Sequence, residues 1–306
     1  MKHLISIHDL TPGEIDAIFE RARDLKARKL QGEPHRLLDG QTLAMIFEKP
    51  STRTRVSFET GMVQLGGHAL VLNASDTQLG RGETIPDTAR VLSRYVDGIM
   101  ARTFAHDTVV QLAKYGSVPV VNGLTDLLHP CQALADYFTV RERFPDLEGV
   151  VVAYVGDGNN VAHSLMLGAA KLGLPIRVAT PHGYEPDPHV VRLARADAAA
   201  FGGEVTLLED PYEAVRGANV VYTDTWTSMG QEEEAVERRK VLAPYQVNPY
   251  LLAAARPEAI VLHCLPAHRG QEITDDVMDG PQSAVLDQAE NRLHVEKAIL
   301  VLLMGG

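Results

Sequence analysis

The chain has 306 residues, a length that accommodates two domains of ordinary size, each able to bury its own core. Apolar residues make up 45% and charged residues 23%, which excludes a disordered or fibrous chain. With 29 Lys and Arg against 40 Asp and Glu, the net charge of −11 offers no general footprint for nucleic acid, so any anion must be caught by a local basic cluster.

Residues 1 to 9 contain no uninterrupted apolar run, and nowhere does the chain approach the roughly 18 apolar residues that span a bilayer, so neither a leader nor a membrane span is expected. Thr11-Pro12-Gly13-Glu14 reads as an N-cap with proline at N1 and glutamate at N3, opening an amphipathic helix through Ile15, Ile18, Phe19, Ala22 and Leu25. Short apolar strands are predicted at 42–47, 68–72, 98–101 and 118–121, alternating with helices at 52–65, 85–95, 107–115 and 130–144. Phe144-Pro145-Asp146-Leu147-Glu148-Gly149 reads as a domain boundary.

The pattern restarts with a strand at 150–155 and a helix at 161–172. Strands follow near 176–179, 204–208, 219–222 and 259–263, with helices near 190–201, 212–216, 233–241 and 249–255. Strands that are apolar runs rather than in–out alternations predict an α/β fold of two domains, each a mostly parallel sheet covered by helices on both faces. The last helix, 287–304, ends in Ala298-Ile299-Leu300-Val301-Leu302-Leu303, apolar nearly all round, and is expected to return to the first domain. The domains are accordingly placed at 1–144 with 288–306, and at 145–287.

Ligands of open parallel sheets bind beyond the carboxyl ends of the strands, which selects the motifs to weigh. Glu48-Lys49-Pro50-Ser51-Thr52-Arg53-Thr54-Arg55 brings hydroxyls, free N–H groups and guanidinium groups to a helix N-terminus, an arrangement suited to phosphate. The plainer alternative is Ser51 as an ordinary cap with Arg55 paired to Glu59, but arginines in a first turn oppose the helix dipole. Gln78 opens a glycine-containing segment, Gln78-Leu79-Gly80-Arg81-Gly82-Glu83, that is a weak signal alone. Arg102 and His129-Pro130-Cys131-Gln132 follow further strands, and His129 before Pro130 is placed as an N-cap biased toward its neutral form.

Gly156-Asp157-Gly158-Asn159-Asn160-Val161 begins like a dinucleotide fingerprint, but its third glycine is missing and no acidic residue ends the next strand, so NAD binding is demoted and Asn160 becomes a reader of a polar small molecule. Asp224 and Cys264 end two more strands. Asp224 could pair with a cation; Cys264 is a nucleophile or a small buried hydrophobe. Zinc through His263, Cys264 and His268 meets Pro266 in the way of i,i+4 geometry, and no metal is expected. The two cysteines, Cys131 and Cys264, are too few for a disulfide framework and fit a reducing compartment, with the cytoplasm as the expected location.

Ser51-Thr52-Arg53-Thr54-Arg55, Arg102 and His129-Pro130-Cys131-Gln132, with Asp224-Thr225-Trp226-Thr227-Ser228-Met229-Gly230 and His263-Cys264-Leu265-Pro266, resemble the aspartate and ornithine carbamoyltransferase family over nearly the whole chain. Cys131 points to the ornithine branch, since the aspartate enzymes carry threonine there. The resemblance implies that Ser51, Thr52, Arg53 and Thr54 hold the phosphate of carbamoyl phosphate. Arg102, His129, Pro130 and Gln132 would surround its carbamoyl group, with Cys264, Leu265, Arg292 and a neighbouring subunit's Gln78 completing that site. Asn160, Asp224, Ser228 and Met229 would bind L-ornithine, and Arg102, His129, Cys264 and Asp224 would carry the chemistry. It further implies a cytoplasmic homotrimer without cofactor, nucleic-acid partner or membrane, acting in arginine metabolism as part of amino-acid biosynthesis. The alternatives are transfer to putrescine, N-acetylornithine or aspartate, or a non-catalytic phosphate-binding α/β protein. The ornithine amine must lose its proton to attack, so the rate is expected to rise with pH through neutrality.

Overall fold

A computed structural model describes residues 1–78, 82–227, 230 and 232–305. Two compact units emerge, one formed by Met1–Leu134 with the chain from Arg292 on, the other by Ala135–Asn291.

The first unit opens with α1 (Pro12–Leu30), whose Thr11 and Glu14 form a reciprocal capping box and whose Ile15, Ile18, Phe19, Ala22 and Leu25 are buried. There follow β1 (Thr42–Phe47), α2 (Thr52–Gln64), β2 (His68–Asn73), α3 (Ile85–Leu92), β3 (Gly98–Arg102), α4 (His106–Tyr115), β4 (Val120–Leu124) and α5 (Pro130–Arg143), which runs on into the second unit. The strands are parallel in the order β2-β1-β3-β4. β1 and β3 therefore lie side by side where the winding reverses, and the last residue of one, Phe47, is registered with the last of the other, Arg102. Ala44, Ile46, Ile99, Ala101 and Val120 pack under Ala89, Val109 and Leu112.

β4 begins at Val120, two residues later than its apolar run predicts, because Pro119 has no N–H to give the ladder. Its outer side is closed by the N-terminal segment: Leu4 N donates to Val120 O at 2.9 Å, and Asn122 N to Leu4 O at 2.7 Å. A register shift at Gly123 bulges the strand beside Arg102, and a Cβ at Gly123 would lie 2.5 Å from Met100 Sδ.

The second unit holds β5 (Val152–Val155), α6 (Asn160–Lys171), β6 (Pro175–Ala179), α7 (Pro188–Phe201), β7 (Glu204–Leu208), α8 (Pro211–Val215), β8 (Val220–Thr223), α9 (Ala235–Leu242), α10 (Pro249–Leu252), β9 (Ile260–His263) and α11 (Asp275–Met278). Its strands are parallel in the order β7-β6-β5-β8-β9, so the reversal falls between β5 and β8. The helix predicted over 249–255 stops at Leu252, and a short 3-10 turn precedes α9. Gly168 of α6 admits the Tyr137 ring, which a Cβ would meet at 2.5 Å, and Tyr137 Oη donates to Leu165 O at 2.6 Å.

The last helix, α12 (Val285–Met304), returns to the first unit. Val295, Ala298, Ile299 and Leu300 are buried as its apolar end requires, whereas Leu302 is partly exposed. Lys297, fully buried, lies 3.1 Å from His35 Nε2 and 2.9 Å from Gln64 Oε1. Among the described residues no helix is long and apolar enough to cross a membrane.

Candidate active site

In the first unit the candidate residues gather at the paired ends of β1 and β3. Ser51 caps α2, its Oγ accepting from Thr54 N at 3.3 Å, which fixes the first turn that carries Thr52 and Arg53. Thr54 is fully buried, and its Oγ1 accepts from Arg292 Nη2 at 3.1 Å and from Arg102 Nη1 at 3.5 Å. Arg292 comes from α12. Its Nη1 donates to Gln132 Oε1 at 3.0 Å, and its Nε and Nη2 both donate to Glu296 Oε1, at 3.2 and 2.8 Å. The Gln132 amide is thereby turned with its oxygen to Arg292, so its NH2 faces the other way. Arg55 stands apart: it is exposed and pairs with Glu59 at 3.2 Å, the plainer of the two readings of this residue.

His129 immediately precedes α5, its carbonyl accepting from Ala133 N at 3.2 Å as an N-cap's does. Burial, then the charges of Arg292, Arg102 and Arg53, hold its ring well below the usual imidazole value. The ring is therefore neutral at pH 7 and can hydrogen-bond without adding charge. Glu296 is buried too, and burial pushes it up against the pull of Arg292. A cleft of about 440 Å³ adjoins the cradle, lined by Phe47, Pro50, Ser51, Thr52, Val56 and Val71 among others. Gln78 lies exposed beyond β2, its carbonyl accepting from Glu83 N at 3.0 Å. Pro130 is buried at the start of α5.

In the second unit the candidates meet at the ends of β5, β8 and β9. Asp224, buried just past β8, accepts from Cys264 Sγ through Oδ1 and from Asn159 Nδ2 through Oδ2, both at 2.8 Å. Leu265 follows Cys264 with φ of 61°, a left-handed conformation rare for a branched side chain, and its N–H donates to His263 Nδ1 at 2.9 Å. His263 Nε2 then donates to Glu272 Oε1 at 3.1 Å, and that fully buried carboxylate also accepts from His268 N. Asn160, half-buried, is the first residue of α6. Ser228 and Met229 lie outside the described residues.

Asp157, beside this cluster, bonds Arg238 Nη1 at 3.1 Å, and the same nitrogen donates to Trp226 O at 3.3 Å. Burial outweighs Arg238, and Asp224 and Glu234 add repulsion, so Asp157 is pushed up to about 7. Tyr154 and Tyr222 stack at 5.9 Å, and burial first, then nearby carboxylates, keeps both phenols protonated.

Asp224, His263 and Cys264 each bring one potential metal ligand within 4.8 Å of the others. Both His263 nitrogens are already engaged, however, so a metal would have to break the support of the Cys264–Leu265 turn. Gly158 explains why the dinucleotide pattern is only partial. A Cβ there would lie 2.4 Å from Pro186 N, so the glycine admits the 184–186 backbone rather than a pyrophosphate.

Motif reading alone missed Asn159, Glu272, Asp157 and Glu296. Asn159 is adjacent to a residue that was chosen, and its role as cap of α6 was readable. Glu296 lies four residues after Arg292 on one helix, a spacing that was readable, whereas the approach of Glu272 to His263 depends on the path of the loop between them.

The first half matches the family model "Aspartate/ornithine carbamoyltransferase, carbamoyl-P binding domain" over residues 2–142, and the second half the corresponding "Asp/Orn binding domain" over residues 148–303. The sequence is 62% identical over 305 residues to an ornithine carbamoyltransferase of Pyrococcus abyssi, covering 100% of this chain and 96% of that one. Ornithine carbamoyltransferase from Pyrococcus furiosus matches in structure with a TM-score of 0.97 at 61% identity, over 100% of this chain and 97% of that chain. A mitochondrial ornithine carbamoyltransferase from Coccidioides immitis does so with a TM-score of 0.92 at 37% identity, over 99% and 97%. With the Ser51–Thr54 helix start in the half that the carbamoyl-P binding model covers and the Asp224–Cys264 pair in the half that the Asp/Orn binding model covers, the chain belongs to the aspartate/ornithine carbamoyltransferase family.

Proposed function

We propose that this chain transfers the carbamoyl group of carbamoyl phosphate to the δ-amino group of L-ornithine, giving L-citrulline and phosphate. The observation that carries this reading is the opposite loading of two like strand-end sites. One holds three guanidinium groups around a helix N-terminus, suited to a phosphate dianion, and the other a buried carboxylate, suited to an amino-acid ammonium. Relatives bearing the ornithine carbamoyltransferase name at about 60% identity support the choice of ornithine.

In this reading residues 1–144 with 288–306 form the carbamoyl-phosphate domain and 145–287 the ornithine domain. Ser51, Thr52, Arg53 and Thr54 take the phosphate; Arg102, His129, Pro130, Gln132 and Arg292 surround the carbamoyl group, with Cys264 and Leu265. Asn160, Asp224, Ser228 and Met229 take ornithine, Asp224 pairing with its α-ammonium. The δ-nitrogen lone pair attacks the carbamoyl carbon, and the carbonyl electrons move onto oxygen. Arg102, neutral His129 and Thr54 stabilise that oxyanion. As the carbonyl re-forms, the bond to the phosphate oxygen breaks and phosphate leaves into the arginine cradle, while the nitrogen sheds its extra proton toward Cys264 and Asp224. Positioning and electrostatics supply the catalysis, and no cofactor enters.

The chain works in this reading as a cytoplasmic homotrimer in which Gln78 reaches a neighbouring subunit's site. The exposure of Gln78, and the open cleft beside the cradle with Val56 and Val71 in its wall, support that arrangement. The test is initial rates with carbamoyl phosphate and ornithine, putrescine, N-acetylornithine or aspartate at matched concentration, with products identified. Preference for ornithine with citrulline formed is expected. Preference for another amine would overturn the assignment of Asp224, and no transfer at all would leave a phosphate-binding protein.

A further inference from the structure

We propose that Asn159 is a positioning residue for ornithine, fixing the Asp224 carboxylate through an amide that the start of α6 locks in place. The inference rests on the reading of Asp224 given under Proposed function. Asn159 Oδ1 accepts from Val161 N at 2.9 Å and from Ala162 N at 3.2 Å, the two bonds of a helix N-cap. Its Nδ2 donates to Asp224 Oδ2 at 2.8 Å. The chemistry fixes which end of the amide is which: a flipped group would aim its donors at backbone N–H groups and its oxygen at a carboxylate. One planar group therefore ties the end of β5 to the end of β8, at the reversal point of the sheet.

Asp224 needs this tie. It is 5% exposed, so its charge must be met by hydrogen bonds, and Cys264 Sγ occupies only the other oxygen. With Oδ2 held by Asn159 and Oδ1 by Cys264, the carboxylate plane is set before any cation arrives. The remaining lone pairs then point in fixed directions. Asn159 acts on ornithine through Asp224 and leaves carbamoyl phosphate alone.

Serine and threonine both cap helices, but neither can cap and donate to Asp224 at once, since a lone hydroxyl on Cβ is too short to fill both positions. Asn159→Ser and Asn159→Thr therefore separate positioning from folding. Citrulline formation is measured for wild type and both variants against each substrate, with thermal melts alongside. The expected result is an ornithine KM raised about 10- to 100-fold in both variants, an unchanged carbamoyl-phosphate KM, and a folded protein whose melting temperature falls by only the few degrees that one lost hydrogen bond to Asp224 costs. An ornithine KM within about twofold of wild type in both, an equal rise in both substrates' KM values, or loss of folding despite a preserved cap would each overturn the inference. Wild-type protein that makes no citrulline would instead overturn the reading under Proposed function.

Discussion

The two units solve the same geometric problem with opposite charges. Each is a parallel sheet whose winding reverses once, at β1/β3 in the first and β5/β8 in the second, and each gathers its polar side chains where those strands end. In the first, Arg53, Arg102 and Arg292 crowd a helix N-terminus, and the one histidine among them is driven neutral by their charge and by burial. In the second, the carboxyl groups of Asp157, Asp224 and Glu272 are buried at or near the strand ends, and Asp157, although paired with buried Arg238, is driven toward its neutral form instead. The sheet decides where a ligand sits and the side chains beyond it decide which sign of charge it carries.

Breaking the cationic half should have the largest effect. Arg102→Ala is expected to lower turnover by roughly 10²- to 10³-fold at saturating substrates, as loss of an oxyanion donor does; near-normal turnover would remove Arg102 from that role. Breaking the anionic half should show in binding. Asp224→Asn is expected to raise the ornithine KM roughly 10²-fold, the scale of losing a buried charge partner, with the carbamoyl-phosphate KM little changed. A rise in both would mean that the halves do not divide the substrates in this way.

The contrast also has a pH signature. Asp157 sits at about 7 in the folded chain, against about 4 for an ordinary aspartate. A carboxyl raised by folding holds its proton more tightly in the native state, so its contribution to stability is full below about pH 4 and is lost as pH rises through about 7. Melting temperature should therefore carry a decline between about pH 4 and about 7 that Asp157→Asn flattens; parallel curves for the two proteins would contradict it. The smallest effect belongs to a residue outside both sites. Thr11→Ala removes the capping box of α1 and should cost about 1 kcal/mol, a fall of a few degrees in melting temperature, with kinetics unaltered.

How far the sequence could be read depended on the range of the interaction. The capping box at Thr11 and Glu14 and the apolar stripe of α1 are local, and both appear as expected. The capped helix start at Ser51 to Thr54 was legible because these residues are contiguous and follow a strand. The displaced start of β4 follows from Pro119, which was in view, whereas the closing of its outer side by the segment around Leu4 is a long-range contact that no window of β4 contains. The Arg292–Glu296 pair is a local i,i+4 spacing, but that it supports Thr54 and Gln132 is seen only when the fold brings them together. Glu272 lies nine positions beyond His263, and only the path of the loop turns it back.

The return of α12 to the first unit carries a consequence for how the protein is made. The second unit is a continuous stretch, Ala135–Asn291, and has been synthesised in full before Arg292 is added. The first unit begins earlier but is finished later. Until residues 292–304 arrive, Gly98 lacks the Met304 side chain that packs against it, His35 and Gln64 lack Lys297, and Thr54 lacks Arg292. On the ribosome, then, the half that starts first is completed last, and its arginine cradle is assembled only after the neighbouring unit's whole sequence is available to fold.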